Sequence, residues 1–419
     1  LVNEIKPLII NGRTDKISQP EKDEIIINFT AMQKNVEADK LLSDELGSSV
    51  YRCVGLVGPN ASGKSNIINS LFFALKFINS TIERKEKSKL NIEMFMLDKD
   101  SREDGSSFEF IFCENNIKYV YGFTIDTERV LEEYLLAYYS KKATTLFERD
   151  VNNTPEYNFR GNDVKVQNEI AQKTNSNRLY LPVAAEWGYE KIKTPYKWFE
   201  KMFRQYGDMN ISQVIADVVK DSSQKDMLLE ALSKADFNIK DIYVKNKKIE
   251  KQHRDAMLQF LTNMLGEGEV SEDLIPEDRP VIWITHASKS GETFDIEIND
   301  DSAGTSDIID NIAEMLFINK EGGLFIEDEL GRNYHTKLTE YFIELFNNKV
   351  NCGKAQLFFS THDTKILNLL NPEQIYLVDK DEDGATYVKL LDDYLIREKD
   401  NIELGYLKGR YGAVPNIKE

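Results

Sequence analysis

The spacing of apolar residues over the first part of the chain predicts β-structure. Five segments carry the short apolar runs or the alternating patterns of strands: 25–29, 54–57, 108–113, 118–125 and 130–139. The third and fourth segments alternate on either side of a Glu-Asn-Asn turn, which predicts a β-hairpin. We therefore expect an N-terminal lobe with antiparallel strands over residues 1–184.

From about Ala185 to Leu265 the apolar spacing becomes helical. One helical face is formed by Ile211, Val214, Ile215, Val218 and Val219. This change of period predicts a helical insertion over residues 185–275. Strand-like patterns return at 281–285 and 294–298, so a C-terminal lobe is expected over residues 276–419. The whole pattern is typical of the α/β class.

Length and composition indicate a globular protein rather than a membrane or disulfide-stabilised one. The chain has 419 residues, of which 41% are hydrophobic and 30% charged, and no stretch has the apolar length of a membrane span. Its three cysteines, Cys53, Cys113 and Cys352, are far apart and lack the spacing of a zinc site or a disulfide framework. The sequence shows no signal segment, although it begins at Leu1 without Met. These features predict a cytoplasmic location.

The formal net charge of −18 argues against a surface that attracts nucleic acid as a whole. Basic residues nevertheless cluster in three places: 84–89, 191–204 and 240–254. On helices such runs are usually solvated faces. The three basic clusters therefore allow local contact with DNA or RNA, but they do not indicate it.

A phosphate-binding loop follows the apolar run 54–57. The residues with assigned roles in this loop are Gly58, Asn60, Ala61, Ser62, Gly63, Lys64, Ser65 and Asn66. Two glycines allow backbone N–H groups to surround a phosphate, a lysine reaches the β- and γ-phosphates, and a hydroxyl binds Mg²⁺. The helical pattern after Asn66 supplies the expected context of strand, loop and helix. The sequence therefore predicts binding of ATP with Mg²⁺, with Lys64 also acting in catalysis.

An apolar strand that ends in carboxylates begins at Gly323. Two assignments of the catalytic pair fit the run Glu327-Asp328-Glu329. In the favoured one, Asp328 holds Mg²⁺ and Glu329 polarises the attacking water. In the other, Glu327 and Asp328 form the working pair. Either assignment turns a nucleotide-binding loop into the site of an ATPase.

Two further elements distinguish among classes of ATPase. His362 ends the apolar run 357–361, where an imidazole can hydrogen-bond the γ-phosphate. Ser302, Gly304 and Thr305 precede an amphipathic segment, and a helix N-terminus at that place can bind a phosphate outside its own chain's loop. The order of these parts resembles that of ABC-type ATPase heads, including chromosome-maintenance and DNA-repair members.

A closer resemblance is to bacterial AAA-type ATPases of anti-phage defence, such as the abortive-infection L and RloA proteins. It rests on Asp301-Ser302-Ala303-Gly304-Thr305, on Asp328-Glu329-Leu330 with His335 soon after, on Ser360-Thr361-His362-Asp363, and on the tail 406–415. The resemblance implies an ABC-type head with a mixed β-sheet, an antiparallel β lobe and a helical insertion. It also implies a homodimer or higher oligomer formed through shared ATP sites, and a separately encoded effector protein such as a nuclease.

One feature departs from that pattern and two alternatives remain open. No glutamine occurs between Asn66 and Asp126, where ABC heads carry one that links Mg²⁺ to the helical lobe, and Asp98 is a candidate replacement. A DNA-repair or DNA-clamping ATPase would use the same parts, but we find no long heptad arms. A small-molecule kinase would leave Ser302 and His362 without roles.

Overall fold

The computed structural model describes residues 2–8, 25–32, 36–43, 49–86, 88–90, 105–207, 210–234, 237–265, 278–288, 290–332, 336–347, 353, 355–382, 384–397 and 400–413. The contacts within the chain divide it into two compact units. One comprises Leu1–Asp208 with Asn319–Glu419, and the other comprises Met209–Ile318. The second unit thus begins and ends later than the helical segment 185–275 expected from the sequence.

A five-stranded mixed sheet lies in the first unit. In spatial order its strands are β14 (Gly323–Glu327), β15 (Ala355–Thr361), β5 (Cys53–Val57), β16 (Ile375–Lys380) and β17 (Thr386–Leu390). The first four strands run parallel, and β17 pairs antiparallel with β16. All residues of β5 and β15 are buried, as expected for parallel strands inside an α/β fold. The carboxyl ends of the four parallel strands therefore meet at one edge.

A seven-stranded antiparallel sheet forms the β lobe of the same unit. In spatial order it contains β10 (Tyr157–Asn158), β9 (Thr144–Asp150), β8 (Val130–Tyr138), β7 (Ile117–Ile125), β6 (Ser106–Glu114), β1 (Val2–Leu8) and β2 (Ile27–Asn28). The hairpin predicted from the Glu-Asn-Asn turn is confirmed, with Asn115 at φ 49° and Asn116 at φ 60°. A two-stranded sheet, β3 (Leu41–Ser43) and β4 (Ser49–Tyr51), completes the strands of this unit.

Helices of the first unit pack against both sheets. They are α1 (Lys64–Ser80), α2 (Val164–Ala171), α3 (Tyr180–Glu186), α4 (Glu190–Gly207), α9 (Thr336–Asn347) and α10 (Ile402–Leu407). The 3-10 helices of this unit are Ala38–Lys40, Thr81–Glu83, Thr364–Leu369, Pro372–Gln374 and Leu391–Asp393. In the core, the Trp198 ring on α4 stacks on Phe112 of β6 with 4.2 Å between centroids, and Phe199 meets both rings edge-on. Aromatic packing therefore ties α4 to the β lobe.

The second unit combines helices with a three-stranded antiparallel sheet. Its elements are α5 (Ile211–Lys220), α6 (Ser222–Lys234), β11 (Ile239–Lys248), α7 (Lys251–Leu265), β12 (Asp278–Ala287), β13 (Thr293–Glu297), the 3-10 helix Ile298–Asp300 and most of α8 (Ala303–Glu321). α5 and α6 pack on the sheet.

Strand β11 lies within the segment Ala185 to Leu265, for which the apolar spacing predicted a helical insertion. Ile242 is fully buried while Lys245 is exposed, and the strand pairs along its length with β12. The partner strand β12 lies beyond α7 in the chain, so the pairing is non-local. The helical periodicity on both sides of β11 dominates the sequence pattern, and the strand was therefore not predicted.

Together these elements confirm the predicted α/β class with a mixed sheet and an antiparallel β lobe. Within the described ranges, none of the helices is long and apolar enough to cross a membrane.

Candidate functional site

A pocket of about 680 Å³ opens at the carboxyl edge of the mixed sheet. Residues from the phosphate-binding loop, from the segment after β14, from the end of β15 and from the end of β16 line it: Asn60, Ala61, Ser62, Gly63, Lys64, Ser65, Asn66, Glu329, Arg332, His362 and Lys380. Parallel α/β sheets bind ligands at this edge, and the volume lies in the range of small-molecule sites.

Two glycines of the loop are required by close approaches of the β16–β17 hairpin. A Cβ atom at Gly58 would lie 2.1 Å from the backbone oxygen of Val378. Gly63 has φ 109°, and a Cβ atom there would lie 2.1 Å from the Thr386 hydroxyl oxygen. Only glycine fits these places without displacement of the hairpin. The hairpin therefore fixes the loop that precedes α1.

Lys64 lies inside the loop, with its side chain turned toward backbone oxygens. Its Nζ atom donates to the carbonyls of Gly58 and Pro59, each at 2.9 Å. Burial lowers the pKa of Lys64, while the nearby carboxylates of Asp328 and Glu329 raise it. A phosphate placed in the loop would replace these carbonyl contacts with charge-assisted ones.

The loop also contains a buried hydroxyl without a partner. Ser62 is 2% exposed, and its Oγ atom has no hydrogen-bond partner in the described part of the chain. Such a group is rare in a folded protein unless a ligand or water completes it. A buried hydroxyl without a partner at this place fits a loop shaped for phosphate oxygens.

Ser360 connects the two strands that carry the predicted catalytic residues. Its Oγ atom donates to Asp328 Oδ1 at 2.5 Å and accepts from the backbone N–H of Glu329 at 2.8 Å. Leu330 continues the connection, since its N–H donates to the Ser360 carbonyl at 2.7 Å. A serine that is fully buried at the end of β15 thus sets the orientation of both acidic residues.

The geometry supports the Asp328–Glu329 assignment over the Glu327–Asp328 one. Glu327 is the last residue of β14 and does not line the pocket, whereas Glu329 does. Glu329 has φ 60°, which few residues with a side chain adopt. The hydrogen bond from its N–H to Ser360 holds it in that conformation and directs its carboxylate to the pocket.

His362 follows β15 and faces the same pocket. Its pKa is lowered, first by burial and then by the charge of Lys64, although the two acidic residues oppose this shift. The lowered pKa favours the neutral form of the imidazole. A neutral ring can donate one hydrogen bond and accept another, which suits contact with a phosphate and its attacking water.

Two pocket residues were missed by the sequence analysis. Arg332 Nη1 lies 2.9 Å from Glu329 Oε2, and Lys380 ends β16 on the other side of the loop. Lys380 can be assigned to this edge once β16 is known to run parallel beside β5. Arg332 had no such signal, because it follows the acidic strand within a turn.

The residues present fit a magnesium–nucleotide complex. In the described ranges, no three His, Cys, Asp or Glu side chains converge as a metal site. Mg²⁺ is usually held by one or two protein groups together with nucleotide phosphates. The hydroxyl of Ser65 and the carboxylate of Asp328 would serve as those groups here.

The third predicted group lies in the second unit, at the start of α8. The Ser302 hydroxyl accepts from the backbone N–H of Thr305 at 3.1 Å, which is an N-terminal helix cap. Asp301 Oδ1 accepts from the Ser302 N–H at 2.6 Å, and its Oδ2 lies 2.6 Å from His286 Nε2. Ser302 and Gly304 are exposed, and a Cβ atom at Gly304 would meet nothing within 4 Å. Thr305 is buried.

Among the residues named in the sequence analysis, Asp98, His335, Cys352 and the last two residues of the tail 406–415 lie outside the described residues. The replacement of the missing glutamine by Asp98 therefore stays a prediction.

Comparisons with known proteins identify the family. No curated protein matches the chain. Two solved structures resemble it at 12% identity: an SmcHead bound to the C-winged helix domain of ScpA, with a TM-score of 0.42, covers 93% of this chain and 96% of that one. The SMC head domain from Thermotoga maritima, with a TM-score of 0.36, covers 93% and 98%. Residues 53–368 match the family described as "AAA domain, putative AbiEii toxin, Type IV TA system", and the chain belongs to this family.

Proposed function

We propose that the chain binds ATP with Mg²⁺ and hydrolyses it to ADP and phosphate. The observation that carries this proposal is the convergence of the phosphate-binding loop, Glu329 and His362 on one pocket. They come from three adjacent parallel strands, so the sheet itself sets their spacing. The family, an AAA domain, supports the same reading.

Each residue has a distinct role in the proposed reaction. Lys64 and the loop N–H groups bind the β- and γ-phosphates, and bound Mg²⁺ supplies charge neutralisation of the phosphate oxygens. Glu329 accepts a proton from the water that attacks the γ-phosphorus, while the bond from that phosphorus to the bridging oxygen of ADP breaks. Neutral His362 orients the γ-phosphate and the water. Ser360 holds Asp328 and Glu329 in register.

The exposed start of α8 supports pairing of two chains through nucleotide. A helix N-terminus carries free N–H groups and a positive dipole end, which favour a phosphate. Gly304 leaves space beside Ser302 for a close approach. In this arrangement each chain's Ser302, Gly304 and Thr305 complete the ATP site of its partner, in a homodimer or a larger oligomer.

We further propose that this ATPase controls a separately encoded effector in anti-phage defence. The resemblance to the abortive-infection L and RloA proteins and the toxin–antitoxin wording of the family description support this role. Glu329, which lines the pocket, is assigned to the ATPase, while Asp379 lies in β16 and Asp381 in the turn that follows it. A net charge of −18 suits a basic partner, such as a nuclease, in the cytoplasm.

The test compares phage challenge of cells that express the chain with and without its neighbouring gene. Glu329→Gln, which is expected to hold ATP without turnover, should co-purify with the effector from the native host. Protection that requires both genes and is lost in Lys64→Ala would support the proposal. Full protection by this chain alone, or cleavage of RNA or DNA by the purified chain, would contradict it. Stimulation of ATP turnover by duplex DNA would favour a DNA-clamping role instead.

A further inference from the structure

We propose that Lys380 is a nucleotide-binding residue that contacts the phosphates retained in ADP. This inference rests on the proposed ATP-binding function and adds a contact to the same pocket. Lys380 is the last residue of β16 and lines the pocket together with the phosphate-binding loop. It belongs to none of the motifs that identify the site from sequence.

The register of the hairpin directs Lys380 toward the loop. Lys380 pairs with Thr386 across the β16–β17 ladder, and residues directly opposite each other in an antiparallel pair share one face. The Thr386 hydroxyl donates to the Ser62 carbonyl at 3.1 Å and approaches Gly63 closely. The face that carries Lys380 is therefore the face that packs on the loop.

The ammonium of Lys380 has no carboxylate partner among the described residues. Asp379 lies on the opposite face of the hairpin, where it pairs with Tyr387 across the strands. Asp381 accepts from the backbone N–H of Ala385 at 2.8 Å within the turn. The positive charge of Lys380 therefore lies beside the phosphate-binding loop without a carboxylate partner from the parts of the chain that the structure describes. The phosphates of a bound nucleotide would interact favourably with this charge.

The order of the sheet indicates which phosphates Lys380 contacts. β14 and β15, which precede Glu329 and His362, lie on one side of β5, and β16 lies on the other. The γ-phosphate must be close to Glu329 for hydrolysis. Lys380 therefore lies on the side of the α- and β-phosphates, which ATP and ADP share. Arg332, the other basic residue missed from the sequence, lies on the Glu329 side of the pocket, because its guanidinium forms an ion pair with Glu329.

This position predicts uniform binding rather than catalysis. A contact made equally with ATP, with ADP and in the transition state changes KM and leaves kcat unchanged. Lys380→Ala should weaken the binding of ATP and of ADP by the same factor, about 10- to 150-fold, as for loss of a charge-assisted hydrogen bond. Lys380→Arg keeps the charge and should recover most of the affinity.

The experiment is calorimetric titration of Mg-ATP and Mg-ADP into the wild type and the variants, with steady-state turnover measured in parallel. Lys389→Ala is the matched control, because Lys389 lies on the opposite face of the same hairpin, over the Tyr387 ring. It should bind both nucleotides as the wild type does. Lys380→Gln provides a second neutral variant if the alanine variant is unstable.

Equal losses for ATP and ADP with unchanged kcat would support the assignment. Wild-type affinities in both neutral variants would overturn it, and so would a loss confined to ATP, which would place Lys380 at the γ-phosphate. Failure of the wild type to bind either nucleotide would instead overturn the proposed function. Lys64→Ala in the same titration distinguishes failure of the Lys380 assignment from failure of the proposed ATP binding. If the pocket binds nucleotide, this variant should lose binding whether or not Lys380 contacts the phosphates.

Discussion

Among single residues, Ser360 connects the two proposed catalytic carboxylates, although the sequence analysis gave it no chemical role. It is fully buried, and its hydroxyl serves Asp328 as donor and Glu329 as acceptor. The unusual φ of Glu329 depends on this contact. A hydroxyl that joins two neighbouring strands thus sets the spacing between the metal ligand and the proposed base.

We expect Ser360→Ala to lower kcat by about tenfold or more, because misplacement of a catalytic group is costly even over short distances. The affinity for ATP should change much less, since the loop at Lys64 is untouched. Steady-state kinetics with calorimetry would separate the two effects. Ser70→Ala on α1 is a suitable control, because its hydroxyl bonds only its own helix at the Ile67 carbonyl. An unchanged kcat would show that Ser360 does not position Glu329.

At the level of strands and helices, the motif-bearing elements could be predicted from the sequence and others could not. The loop at Gly58 to Ser65, the acidic strand and the histidine strand could be predicted, because each combines an apolar run with chemically specific residues at its end. Strand β11 could not, since its pairing with β12 joins distant segments across α7. Arg332 and Lys380 were missed because a lone basic residue after a strand is indistinguishable from a solvated one until the sheet order is known.

Helix α8 carries two carboxyl groups that oppose folding at high pH. Burial raises the pKa of Asp310 to about 6, with a contribution from Asp307, and raises that of Glu314 to about 7, with a contribution from Asp310. Both values exceed those of unfolded carboxyl groups. Between pH 4 and pH 7 these two groups therefore bind more protons in the native state than in the unfolded state, so their contribution to the free energy of unfolding falls as the pH rises.

Glu314→Gln should remove part of this dependence. We expect the variant to be more stable than the wild type by about 1–2 kcal/mol at pH 8, after allowance for solvent screening, and equally stable at pH 4. Urea unfolding at the two pH values would measure the difference. A gain of the same size at both would indicate a packing effect rather than relief of a buried charge.

For the molecule as a whole, the proposed pairing makes ATP the link between two chains. The Ser302 cap is exposed, so an arginine there would block the approach of a second chain without touching the loop at Lys64. In this proposal two chains associate when ATP is bound and separate after hydrolysis. Hydrolysis could therefore release or restrain an effector attached to the pair.

We predict that Ser302→Arg abolishes ATP-dependent association while nucleotide binding stays within about twofold of the parent. Light scattering in the Glu329→Gln background, with and without ATP, would measure this, because slow turnover preserves the bound state. Ser306→Arg is less suitable as a control, since its hydroxyl bonds the Ile298 carbonyl. Ser290→Arg is preferable, because the Ser290 hydroxyl contacts only the Ser288 hydroxyl of the same exposed turn among the described residues. ATP-dependent pairing that survives in Ser302→Arg would contradict the shared site.

The assignment of the base to Glu329 is tested most directly by ATP turnover of Glu329→Gln beside Glu327→Gln. Glu329 faces the pocket and Glu327 ends β14 away from it. Loss of general-base assistance should slow Glu329→Gln by about a hundredfold or more with ATP still bound, while Glu327→Gln keeps most of its activity. Wild-type turnover in Glu329→Gln, with the loss in Glu327→Gln instead, would contradict the site described above.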